Sequence, residues 1–213
     1  MSAVMRVLLT GFEPFEDDPQ NPSAELVTRW RAAPPEIAGL ELCFEVLPVD
    51  RKRLRGRMDE LLEALRPQIW LGMGQHARSG LVEIECRAHN RLHYRGRLDN
   101  GGHGAENELI EERGEAVREA TLPVPELAQV LRAEGLPVTH SDDAGTHLCN
   151  ATLYHVLGQR YAPRASFVHL PLLPEQATRR DKQEESLALD EQERCVRGLL
   201  EKLALALRPT QSR

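Results

Sequence analysis

The chain has 213 residues, with 27 basic against 33 acidic side chains, and 41% of its residues are hydrophobic. That length suggests a single domain over 1–213, or two small ones at most, and the apolar fraction supports a real core, which excludes a disordered chain. Mild acidity without a basic cluster argues against a nucleic-acid binder, and no apolar run approaches the roughly 20 residues of a membrane span.

Met5 to Thr10 is a short apolar run stopped by Gly11, and it reads as a buried strand. It passes at once into Gly-Phe-Glu-Pro-Phe, without the length or cleavage site of a signal peptide. Asn21-Pro22-Ser23 predicts a helix start, with proline inside the first turn and Ala24 to Trp30 following. Leu40 to Val49 returns to strand character. From Arg51 to Arg66 the apolar residues Leu54, Met58, Leu61, Leu62 and Leu65 recur at helical spacing, and Pro67 ends the segment. Ile69 to Met73 predicts another buried strand, closing on Gly74.

Gly96 to Glu115 breaks the pattern, being rich in Gly, Asn and Glu and poor in apolar residues. Such a segment reads as a mobile surface loop, with a role in covering a site or bordering a subunit contact as the functional alternative. Beyond it, Pro125 to Arg132 reads as helix, Leu136 to His140 as extended, Leu148 to Tyr161 as helix and Ser166 to Leu170 as extended. The last helix is expected to open on a capping box, Asp190-Glu191-Gln192-Glu193, and to carry Val196, Leu199, Leu200, Leu203 and Leu207 on one face. Strands alternating with helices predict an α/β sandwich with a largely parallel sheet.

The four cysteines, at 43, 86, 149 and 195, include no CxxC and are too sparse for a disulfide scaffold, so a reducing, cytoplasmic compartment is expected. Cys43 in an alternating strand and Cys195 near the apolar face of the last helix read as packing residues. Cys86 follows Glu83-Ile84-Glu85, where the charges suggest a half-exposed strand. Cys149 begins a helix. A thiol there sees the positive end of the backbone dipole and unpaired N–H groups, which favour thiolate and could receive an oxyanion.

A nucleophilic cysteine requires a base. Seven of the eight histidines, 76, 89, 93, 103, 140, 147 and 155, stand in mostly polar surroundings where a surface role is the default. His169 instead interrupts an apolar strand near its C-terminal end, the edge where open α/β sheets bind ligands, although a hydrogen-bonded core histidine is the plain alternative. Glu83 and Glu85 share parity on one strand and could both face that imidazole; the pattern does not choose between them. Cys86, His89, His147 and Cys149 also make a nominal zinc quartet, but His-x-Cys is not the spacing of common structural sites.

Several of these segments together resemble the pyroglutamyl peptidase I family of cysteine peptidases. Leu8-Leu9-Thr10-Gly11-Phe12-Glu13-Pro14-Phe15 with Asn21-Pro22-Ser23 is similar to its N-terminal signature. Gly74-Gln75 with Glu85, Ala88 and Asn90 is similar to its glutamate motif, and Ala144-Gly145-Thr146-His147-Leu148-Cys149-Asn150 to its cysteine motif. Phe167-Val168-His169-Leu170-Pro171 with Pro174-Glu175-Gln176 resembles its histidine motif, and Ser186 to Asp190 fits as well. The motifs run in order from about Val7 to Leu207.

The resemblance implies a three-layer α/β/α sandwich, phosphorylase/hydrolase-like, with a mixed, largely parallel sheet. It implies removal of N-terminal pyroglutamyl residues from peptides, without metal or cofactor, by Cys149 as nucleophile, His169 as base and Glu85 as orienting carboxylate. Arg95 is implied near the oxyanion. Phe12 and Phe15 are implied to sandwich the lactam ring, with Asn21, Gln75, His147 and Leu148 around it. A homo-oligomer, dimer or tetramer, is implied, and no nucleic-acid or membrane partner. A flat neutral lactam suits an apolar slot with few polar contacts, whereas a free ammonium would be left unpaired there. Glu16-Asp17-Asp18, Arg78-Ser79, Gly96 and His147 depart from the family pattern and bear on pocket shape. A relative that binds a lactam or peptide N-terminus without turnover is the alternative.

Overall fold

The computed structural model describes residues 4–159, 163–180 and 184–207. Two strand–helix–strand units open the chain: β1 (Met5–Phe12), α1 (Pro22–Ala32), β2 (Leu40–Leu47), α2 (Arg51–Leu65) and β3 (Ile69–Gln75). There follow β4 (Val82–Glu85), short β5 (Arg87–His89) and β6 (Val117–Glu119), α3 (Val124–Ala133), β7 (Val138–Ser141), α4 (Leu148–Leu157), β8 (Arg164–Leu170), α5 (Pro174–Arg179) and α6 (Leu189–Ala206). The main sheet has the order β2-β1-β3-β8-β4-β7. Its first four strands are mutually parallel; β4 meets β8 antiparallel and pairs parallel with β7. β5 and β6 form a separate antiparallel pair.

Apolar side chains leave both faces of this sheet, so both must be covered. On one face α1, α3 and α6 contribute Leu26, Val27, Trp30, Leu127, Leu131, Val196, Leu199 and Leu203 to a buried cluster. On the other, α2 and α4 contribute Leu54, Met58, Leu148, Leu153 and Tyr154 to a second cluster around Trp70 and Phe167. The result is the three-layer α/β sandwich with a mixed sheet. No helix among the described residues is long and apolar enough to cross a membrane.

Element ends follow local chemistry. Asn21 caps α1, accepting from the Ser23 N–H, and Asp50 caps α2, accepting from the Lys52 and Arg53 N–H groups. α2 stops at Arg66, which adopts a left-handed conformation (φ 44°) just before Pro67. β1 runs past Gly11 rather than stopping there. A Cβ at that position would lie 2.4 Å from the Ser23 carbonyl oxygen, so the glycine lets α1 begin hard against the strand.

Some expectations fail. The capping box at Asp190 does not form: α6 starts at an Ala188 cap without a side-chain bond, and Asp190 lies in the first turn, 2.6 Å from Arg29. β4 is not half-exposed; all four of its residues are buried. α4 ends at Leu157, and residues 160–161 of the expected extension lie outside the described residues.

The segment 96–115 lies mostly exposed at the surface, as expected, and is tied to the body at several points. Asn100 donates from its backbone to the Val49 carbonyl and from its amide to Glu13 and the Pro14 carbonyl. Asp99 accepts from the Arg51 backbone N–H at 2.7 Å, and Arg51 pairs with Glu108. The Asn90 oxygen takes the Ile110 and Glu111 N–H groups. Most of these residues are solvated, as their polar composition suggests, but Asp99, Asn100 and Glu108 use their polar groups on neighbouring elements.

Candidate active site

α4 is preceded by His147 at its cap position, which makes no side-chain bond, so Leu148, Cys149 and Asn150 form the first turn with N–H groups free of intrahelical and side-chain capping partners among the described residues. Asn150 fixes this end in place. Fully buried, it accepts from the His89 N–H at 2.8 Å and donates to the His89 and Arg91 carbonyls. The half-buried Cys149 thiol then lies over β3, where Gly74 leaves room for it: a Cβ there would be 2.8 Å from the sulfur. Gly74 is paired with His169 on β8.

His169 is 3% exposed and Glu85 fully buried, and the imidazole Nδ1 lies 2.6 Å from the Glu85 carboxylate. The carboxylate therefore holds the proton on Nδ1 and leaves Nε2 for the thiol. Burial alone would lower the imidazole pKa. Hydrogen bonds to Cys149 and Glu85, and the charge on both, overcome it and push His169 up to about 10. His169 is thus protonated at neutral pH.

Glu83, of the same parity, sits directly opposite His169 in the strand register but is drawn elsewhere. Its carboxylate accepts from the Ser79 hydroxyl at 2.9 Å and lies 3.8 Å from Arg78. Glu85 reaches the imidazole diagonally across the strands, within the span of neighbouring positions on an antiparallel pair.

His76 was assigned to the surface by its polar neighbours, yet it is buried, with its ring edge-on to His169 at 5.6 Å. It accepts from the Arg78 N–H through Nδ1, which leaves Nε2 to donate to the Leu81 carbonyl. Burial, with the His169 charge beside it, pushes it down to about 3, so it stays neutral beside the imidazolium. Its place directly after Gln75, at the C-terminal edge of β3, was the signal available.

The remaining residues implied for a pocket are placed unequally. Phe12 and Leu148 are buried in the α2/α4 core, Phe12 with its ring 6.4 Å from Phe167. Phe15 is half-buried and tilted against His147 at 5.1 Å, and His147 packs on Tyr94 at 4.0 Å. Burial pushes His147 down to about 4, which keeps it neutral. Asn21 is occupied by its cap: its oxygen takes the Ser23 N–H and hydroxyl, and its amide donates to the Glu13 carbonyl. Arg95 is exposed, in a tight turn with Gly96 where both have positive φ (54° and 79°). Two residues before it, the chain is tied to the segment leading into α4: the His93 N–H donates to the Thr146 carbonyl and the His93 carbonyl accepts from the Thr146 hydroxyl.

Burial pushes Cys86 up to about 11 and Cys195 up to about 12, and it also raises Cys43. The nominal zinc quartet does not converge. Among the described residues, the group of three or more potential ligands that does is Asp50, Asp99 and His103, and its oxygens already cap α2 and hold the 96–115 segment.

The motifs' resemblance can now be set beside known proteins. A family model described as pyroglutamyl peptidase matches residues 5–205. The chain is 38% identical over 201 residues to the pyrrolidone-carboxylate peptidase of Chromobacterium violaceum, across 94% of this chain and 92% of that one. Among solved structures, the pyrrolidone carboxyl peptidase of Thermococcus litoralis shares 31% identity with a TM-score of 0.87, covering 95% of this chain and 94% of its own. That of Fervidobacterium islandicum, also 31% identical, superposes with a TM-score of 0.88 over 93% of this chain and 98% of its own. With the same fold and a sequence match reaching from β1 into α6, the chain belongs to the pyroglutamyl peptidase family.

Proposed function

We propose that this protein is a cysteine peptidase that hydrolyses the amide bond after an N-terminal pyroglutamyl residue, with Cys149, His169 and Glu85 as its catalytic group. The observation that carries this reading is the buried Glu85–His169 contact of 2.6 Å, beside a thiol in the first turn of an uncapped helix. The Cys149 sulfur attacks the scissile carbonyl carbon, and the oxyanion that forms meets the first-turn N–H groups of α4. Arg95, on its turn next to this end of the helix, adds positive charge there. Collapse expels the peptide amine, which takes the proton from His169. Water then attacks the thioester carbon and gives a proton to His169; the thiolate leaves and free pyroglutamate is released. Glu85 stabilises the imidazolium and fixes its tautomer throughout.

For the substrate, Phe12 and Phe15 supply apolar faces for the flat lactam, with Leu148 and neutral His147 beside them and Gln75 and Asn21 as polar neighbours. A charged N-terminus would find no carboxylate partner among these groups. A free thiol as nucleophile fits a reducing, cytoplasmic setting.

The test is release of a fluorophore from a pyroglutamyl amide by the purified protein. Turnover is expected in the wild type, and its complete loss in Cys149→Ala. Full activity in that variant, equal activity on a prolyl amide, or lactam-dependent thermal stabilisation without product would each overturn the assignment.

A further inference from the structure

Strand pairing gives the His169 imidazole two carboxylates on its own face of the sheet, and it uses the farther one. Glu83 stands directly opposite His169 on the antiparallel neighbour, while Glu85 stands opposite Phe167. Directly opposed Cβ atoms lie about 4.5–5.5 Å apart, closer than diagonal neighbours, and a glutamate side chain spans that gap easily.

The turn between β3 and β4 draws Glu83 away. The Ser79 hydroxyl accepts the Leu81 N–H at 3.4 Å, which leaves its own proton for the Glu83 carboxylate at 2.9 Å. The Arg78 guanidinium lies 3.8 Å from the same carboxylate and is itself anchored, donating to the Asp143 carbonyl at 2.8 Å. The turn keeps its shape because His76, at its base, accepts the Arg78 N–H and donates to the Leu81 carbonyl. The Gly80 N–H adds a bond to Glu185 at 2.7 Å. With its side chain only 10% exposed, Glu83 has little water to turn to in place of these partners. Four titratable groups therefore face His169: Cys149 and Glu85 bond it, His76 is neutral and edge-on, and Glu83 is held off.

We infer that Ser79 and Arg78 are positioning residues: by holding Glu83 they keep a second carboxylate off His169, so that Glu85 alone orients the imidazole and Nε2 stays with the Cys149 thiol. The inference rests on the catalytic group proposed above. An imidazolium donates from both nitrogens, and Glu85 occupies Nδ1. A released Glu83 would therefore take the Nε2 hydrogen in a charge-assisted bond, in competition with the thiol and with the leaving amine.

The experiment measures kcat and KM on a pyroglutamyl fluorogenic amide, with the rate of Cys149 alkylation by iodoacetamide alongside. The proteins compared are wild type, the double variant Arg78→Ala/Ser79→Ala, the same double variant with Glu83→Ala, and Glu83→Ala alone. The double variant is expected to lower kcat about tenfold with KM within about threefold, because the competing bond is made to the imidazole and not to the lactam. Adding Glu83→Ala is expected to bring kcat back to within about threefold of wild type, where Glu83→Ala alone also stays. Alkylation is expected to fall and recover in step, since the thiolate loses and regains its imidazolium partner. Ser79→Ala, which leaves Arg78 on the Asp143 carbonyl, is the milder variant if the double one folds poorly, with part of the same loss and the same recovery by Glu83→Ala. A loss that Glu83→Ala does not recover is the mark of a merely structural turn and would overturn the inference, as would an unchanged kcat in the folded double variant. A wild type that alkylates at Cys149 but releases no fluorophore would instead overturn the pyroglutamyl reading, and the alkylation series would still decide this one.

Discussion

Two glutamates of the same strand, two positions apart, have been given different work by what lies next to them. Glu83 is opposite His169 in register, but Ser79 and Arg78 reach it first. Glu85 is fully buried, one of its oxygens lies against His169, and the other has no hydrogen-bond partner among the described residues. A carboxylate so placed acts chiefly on the imidazole. His169 is pushed up to about 10, so its protonated form is present below that pH and is lost as pH rises through it. With the imidazolium proposed as the acid that protonates the leaving amine, kcat/KM for amide substrates should fall on the alkaline side near pH 10. Glu85→Gln removes one of the two groups that raise the pKa, so the alkaline limb should move to lower pH while kcat drops by about a hundredfold. A pH–rate profile reads both effects. A limb that stays in place would show that Glu85 does not govern the protonation of His169.

At the scale of elements, the helix and strand that carry the thiol and the imidazole were legible: a helix start at Leu148 and a histidine near the end of an apolar strand are strong local patterns. β4 was misread because two carboxylates in four residues look solvated; Ser79 and Arg78 hold Glu83 and the distant His169 holds Glu85, and these contacts accompany their burial. The choice of Glu85 over Glu83 likewise came from resemblance, since the alternation of side chains treats them alike. α5, six residues long, and the three-residue β5 and β6 have too little periodicity to detect. The ties of the 96–115 segment escape the sequence for a related reason, because composition does not show which polar groups find partners. Asn90 makes the point testable. Nearly buried, it accepts from two N–H groups of that segment and donates to the Glu111 carbonyl at 2.7 Å. Asn90→Ala leaves those groups unpaired and should lower stability by about 2–3 kcal/mol. It should also open the segment to trypsin at Arg97 or Arg113, read by thermal melting and by mass spectrometry of the digest. Unchanged melting without new cleavage would return the segment to the mobile loop that its composition suggests.

Across the whole molecule, the sheet separates two apolar cores, and the proposed catalytic groups rest on only one of them. Phe167, Gly74 and the α4 helix share the face that carries Cys149 and His169, while α1, α3 and α6 cover the reverse. Stability is a property of both cores, whereas the geometry of the thiol and imidazole depends on the packing directly beneath them. Leu200, fully buried in the α1/α3/α6 core, should therefore behave as a pure stability residue. Leu200→Ala is expected to cost about 2–5 kcal/mol in denaturant unfolding, with kcat unchanged at temperatures where the variant is folded. Phe167 is equally buried, but its ring lies 5.0 Å from that of His169 and its edge would meet a Cβ at either Gly72 or Gly74. Phe167→Leu should lose less stability than Leu200→Ala and yet lower kcat, because the wall behind the imidazole recedes and its alignment with the thiol loosens. Equal kcat losses in the two variants would mean that the sheet transmits packing changes from one face to the other, and that the separation of the cores has no functional meaning.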